Sequence, residues 1–132
     1  MEKQLQLVTY EQGQRLAKLG FDWKTQYYYR PRNEIPLYSD EQFNFNECND
    51  DIIGSYSCSA PTVALALKWI RDEKNIICET FTQFEKFRLN YKFRYRLNYA
   101  EVKSKTRFYD FEAAESALLN TLLNILEKEN EK

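Results

Sequence analysis

Six cations carry the clearest invitation to chemistry in this sequence. Arg88, Lys92, Arg94, Arg96, Lys105 and Arg107 sit among alternating aromatics, and with Lys86 and Lys103 they give residues 86–107 eight bases against Glu101, a net +7. Clustered cations attract phosphates or an acidic protein surface. The opposite charge is gathered in residues 33–58, where Glu34, Asp40, Glu41, Glu47, Asp50 and Asp51 meet no base. The near-neutral total, 19 basic and 20 acidic side chains, is therefore the average of two opposed segments. The plainer structural reading makes the bases the solvated outer positions of a half-buried sheet, partly neutralised by the acidic segment.

Other constellations are thinner. Asp50 and Asp51 near Glu47 offer carboxylates to a hard cation, but solvated loop acids are far commoner. Ser55, Ser57, Cys58 and Ser59 precede a helix start, where anions are favoured; helix capping explains them more simply. Cys48, Cys58 and Cys78 are odd in number and widely spaced, which suits small apolar filler in a reducing compartment better than zinc ligation or disulfides. No histidine is present, so imidazole triads and the commonest general base are excluded. No Gly-rich phosphate loop or nucleophile elbow occurs. No catalytic residue, metal or cofactor is expected.

The elements that must position these groups follow from patterning. Thr9 and Gln12 have capping-box spacing, and Gly20 follows Leu19 as a stop, which predicts a first helix bearing Leu16, Ala17 and Leu19. Tyr27–Tyr29 reads as a short strand ended by Arg30-Pro31-Arg32. Residues 33–58 keep no sustained period and are expected to be irregular, anchored by Ile35, Leu37, Phe43, Phe45, Ile52 and Ile53. A second helix starts at Ser59-Ala60-Pro61-Thr62, with Pro61 in its first turn, and presents Val63, Ala66, Leu67 and Ile70, widened by Leu65 and Trp69. Asn75 can close it in the left-handed conformation.

Ile76–Gln83 is rich in β-branched and aromatic residues and predicts a strand. From Phe87 to Tyr99 every second residue is apolar and most of the others are basic. This predicts one apolar and one basic sheet face, with the strand proper over Tyr91–Tyr99. Alternation turns Phe93, Tyr95 and Leu97 toward the helices, so they read as core and not as a base-stacking platform. Val102–Tyr109 supplies a third strand. Asp110 caps a last helix with Phe111, Ala114, Leu118, Leu122 and Ile125 at helical spacing, and the charged tail 127–132 is expected to fray.

The fold expected is α+β: two amphipathic helices on one face of a three- to four-stranded antiparallel sheet, in α-β-β-β-α order, with an N-terminal helix-strand extension. One domain spans 1–132, made of the extension 1–32, the acidic segment 33–58 and the unit 59–128.

Ala60-Pro61-Thr62, then Lys68-Trp69-Ile70-Arg71-Asp72-Glu73-Lys74, then Phe111-Glu112-Ala113-Ala114-Glu115-Ser116-Ala117-Leu118 form a set of short motifs. With Leu16-Ala17-Lys18-Leu19-Gly20-Phe21 and Tyr27-Tyr28-Tyr29, it resembles uncharacterised small proteins of phages, prophages and mobile elements in Bacteroides-type bacteria. The chain departs in having Ile70 for a leucine and Ser116 for a second glutamate. The resemblance implies genomic context and no activity. The element order also resembles double-stranded-RNA-binding domains. Their last helix opens with lysines, whereas this one opens Asp110-Phe111-Glu112.

The expectation is a cytoplasmic accessory protein that is not an enzyme. It acts through contacts with an unidentified protein partner or a second copy of itself. Nucleic-acid binding through 86–107 is the alternative. No run approaches the roughly 20 apolar residues of a membrane span.

Overall fold

A computed structural model describes residues 6–47, 49–50 and 55–130, with backbone alone at 49–50 and 55–56. Cys48, Asp51, Ile52 and Ile53 lie outside the described residues, as do the side chains of Asp50 and Ser55. The proposed cation group and part of the serine cluster are therefore not described. The protein is α+β, with three α-helices and two three-stranded antiparallel sheets, plus a two-stranded ladder. The chain divides into two compact units, Met1–Ala66 and Leu67–Lys132.

In the first unit α1 spans Tyr10–Lys18. The Thr9 hydroxyl accepts from the Gln12 N–H at 3.1 Å while the Gln12 side chain accepts from the Thr9 N–H at 2.9 Å, the reciprocal box expected from the spacing. Gly20 has φ +97° and ends the turn, letting the Phe21 N–H return to the Leu16 carbonyl. Strands β1 (Thr25–Tyr29), β2 (Leu37–Phe43) and β5 (Cys58–Ser59) pair in the order β2-β1-β5. A 3₁₀ turn covers Phe45–Glu47, and β3 (Asn49–Asp50) pairs with β4 (Ser55–Tyr56).

Among its described residues the acidic segment thus includes strands that its lack of period did not announce. Leu37-Tyr38-Ser39-Asp40-Glu41-Gln42-Phe43 has little strand propensity, but pairing with the tyrosine-rich β1 brings Tyr27 to Tyr38 and overrides it. Of its expected anchors, Phe45 is buried and stacks on Tyr28 at 4.3 Å, whereas Ile35 and Phe43 are exposed. Ser59 is no helix cap: its hydroxyl accepts from the Phe45 N–H and its N–H donates to the Asn46 side chain. The capping hydroxyl for α2 (Val63–Lys74) belongs to Thr62, which accepts from the Leu65 N–H at 3.1 Å, so Pro61 precedes the helix instead of opening it.

Tyr29, Cys58 and Ala60 form a small buried cluster with Tyr10 and Tyr27 against it. Burial pushes the Cys58 thiol up to about 11, opposed by a backbone hydrogen bond at Tyr29. The folded thiol thus holds its proton to higher pH than the unfolded one, whose ordinary value is 9.0. Its contribution to stability is complete below that value and is lost as pH rises toward about 11. Urea unfolding from about pH 8 upward is expected to show a steeper alkaline decline for the native protein than for Cys58→Ala; parallel declines would contradict the assignment.

In the second unit β6 (Ile77–Glu85), β7 (Arg88–Leu97) and β8 (Ala100–Lys103) form an antiparallel sheet in sequence order. β7 begins three residues before the expected Tyr91 and stops before Asn98, because two-residue turns bound it on both sides. Lys86-Phe87 and Asn98-Tyr99 all have positive φ, between 50° and 70°. Both turns lack the glycine that usually announces such a hairpin, so the first was not legible and the second lies at Asn98-Tyr99, ahead of the short turn expected before Val102. The third strand is also shorter than Val102–Tyr109. After Lys103 the chain bends, the Ser104 N–H reaches the Phe93 carbonyl at 2.8 Å, and pairing resumes only as a bridge between Tyr91 and Phe108. Helix α3 covers Phe111–Asn130 and so takes in the charged residues from Glu127 to Asn130. Asp110 Oδ1 accepts from the Ala113 N–H at 2.7 Å, as its cap position predicts. Leu118, Leu119, Leu122 and Leu123 are fully buried, and α3 contacts β6 and β7.

Candidate interaction surface

Register decides where each base lies. Arg88, Asn90, Lys92, Arg94 and Arg96 share the face of β7 away from Phe93, and they oppose Glu85, Gln83, Phe81, Glu79 and Ile77 of β6. The positive strand is therefore flanked by carboxylates from its own sheet. Arg94 pairs with Glu79, lies 3.7 Å from Glu101 of β8, and covers the Phe81 ring at 5.0 Å. Arg107 pairs with Glu85 at 2.7 Å. Exposed pairs of this kind contribute about 0–1 kcal/mol each, so their main consequence is to lower the surface potential. Glu79 and Glu85 fall outside the 86–107 window, and for that reason the sequence count overstated the field.

The six candidate cations do not form one surface. Arg94 and Arg96 line a shallow depression of about 320 Å³ with Ile77, Glu79 and Glu101. Arg88 and Arg107 line a separate cleft of about 510 Å³ with Lys86, Leu89, Asn90 and Tyr109. Lys92 lies between them, opposite Phe81, and Lys105 projects from the bend after β8. Among the described residues, Arg88, Lys92, Arg96 and Lys105 have no ion-pair partner.

The cleft has features that the residue pattern did not disclose. Phe84 and Leu89 are register partners on the apolar face, yet they are 68% and 52% exposed, because the β6–β7 hairpin runs on past the first turn of α3 at Phe111. The turn residue Phe87 is 93% exposed and Tyr109 is 91% exposed. Phe87 and Leu89 precede the strand proper expected from Tyr91, and the ring contacts begin further along, with Tyr91 on Phe111 and Phe93 on Phe108. Asn90, at 9% exposure, lines the cleft with no side-chain hydrogen bond among the described residues.

The strand edge is open here as well. Tyr91 exchanges backbone bonds with Phe108, and beside them the Ser104 N–H donates to the Phe93 carbonyl while the Phe93 N–H donates to the Ser104 hydroxyl. The two-residue repeat directs the Leu89 backbone groups to the same side, past the last bridge. The described sequence signal for this end is only the paired charge-aromatic turn Lys86-Phe87, which without glycine does not read as a turn.

Nucleophilic chemistry finds no support at either site. Cys78 borders the smaller depression but is buried, and burial raises its thiol while Arg71 opposes the shift. No group of three or more potential metal ligands occurs among the described residues. No described helix is long and apolar enough to cross a membrane. Compared with protein families, curated proteins and solved structures, the chain returned no match.

Proposed function

We propose that the protein acts without catalysis, through protein–protein contact made by the end of the β6–β7 hairpin. The observation that carries this reading is the gathering of Phe84, Phe87, Leu89 and Tyr109, all exposed, beside cations and an open strand edge. Contiguous exposed apolar side chains rimmed by polar ones are characteristic of contact surfaces. In this reading α2 and α3 close the Phe93 side of the sheet in α-β-β-β-α order, and the hairpin end is left for a partner. The setting is cytoplasmic, in an accessory protein of the phage and mobile-element kind that its motifs resemble. The test is native gel filtration of tagged protein from the cells that make it. The protein should elute ahead of its monomer position and Phe84→Ser/Phe87→Ser at that position. Identical elution of the two would overturn the reading.

The second reading, nucleic-acid binding, is favoured by Arg88, Lys92, Arg96 and Lys105, which no described carboxylate pairs. It makes retention on single- or double-stranded RNA and DNA fall steeply with salt. The proposed function expects little retention at about physiological ionic strength and no difference when Lys92, Arg94 and Arg96 all become alanine. Strong retention that the triple change abolishes would transfer the function to nucleic acid.

A further inference from the structure

Resting on that protein-contact reading, we infer that the partner is a second copy of the chain, whose acidic edge strand β2 docks on the hairpin end of β6–β7. Strand β2 is terminal in the order β2-β1-β5, so its outer edge has no strand partner among the described residues. It exposes Tyr38 and Phe43, with Ile35 just before it. Glu34, Asp40 and Glu41 supply its charge, and residues 33–47 contain no base.

The hairpin end is the counterpart on each count. Phe84, Phe87, Leu89 and Tyr109 offer apolar surface, and Lys86 and Arg88 offer cations without an ion-pair partner among the described residues. The Leu89 backbone continues a strand edge beyond its last bridge, and the Asn90 amide is available to a strand laid along it. Adding a strand satisfies backbone groups on both edges, while side chains select the partner.

The two patches are different surfaces on different units. The contact therefore joins the hairpin end of one copy to strand β2 of another.

Sedimentation velocity on the full chain tests this. The native protein should sediment as a dimer or larger species. Lys86→Glu/Arg88→Glu sets acid against acid, and Asp40→Lys/Glu41→Lys sets base against base, so each variant alone should associate at least tenfold more weakly. Mixed in equal amounts, the two should recover the native species, because each patch then meets its opposite; misfolded variants would not. A native protein that is monomeric throughout, variants that associate normally, or a mixture that stays monomeric would each overturn the inference. If the native protein is monomeric when pure but elutes in a larger complex from its own cells, the second-copy partner fails and the contact reading stands.

Discussion

Leu122→Ala is expected to lower the unfolding free energy of the second unit by about 3 kcal/mol. Leu122 is completely buried in α3 between Leu118 and Leu126 of the same stripe, on the helix that contacts β6 and β7. Truncation removes buried apolar surface and leaves a cavity that neighbours fill only in part, because Leu119 and Leu123 are already fixed by their own packing. Trp69 is the only tryptophan of that unit, so a Trp23→Phe background lets its fluorescence report urea unfolding there. A loss below about 1 kcal/mol, the scale of an ordinary surface change, would mean that α3 does not hold the sheet.

Phe87→Gly should act in the opposite direction on stability. Phe87 has φ +65° at a hairpin tip, where a side chain costs about 1–2 kcal/mol relative to glycine. The ring recovers little of that, being almost wholly in solvent. Glycine loses more freedom on folding, so the net gain is about 1 kcal/mol. Tyr99 occupies the same place in the second turn, with φ +70° and complete exposure, and Tyr99→Gly should gain a similar amount. The two differ in consequence: Phe87→Gly should also abolish the protein contact, whereas Tyr99→Gly should leave it intact. Strain retained at a tip that packs against nothing suggests a functional role for the ring. If Phe87→Gly is stabilising and associates normally, the ring has no such role.

How much could be read from the sequence differs by element. Helix boundaries were legible where they depend on local chemistry: Thr9 with Gln12, Gly20, Asn75 and Asp110 all occupy the cap positions their types suggest. The alternation of β7 was legible too, because its period is a property of the strand itself. The neighbours of each strand were not. Glu79 meets Arg94 only because pairing places it across the ladder, and Glu85 meets Arg107 only because the chain after β8 returns to bridge Tyr91 at Phe108. β2 was unreadable because its partner β1, and not its own residues, makes it a strand. The contact surface stayed hidden for a related reason: Phe84, Phe87 and Leu89 continue a core pattern, and only the length of the hairpin relative to α3 exposes them.

The most direct measurement places a photoreactive benzoyl-phenylalanine at position 87 in the cells that make the protein, with the exposed α1 position Lys18 as the control. Irradiation should give a discrete higher-mass protein adduct from position 87 and none from position 18. No adduct at 87, or the same adducts from both positions, would contradict a function exercised through the hairpin end.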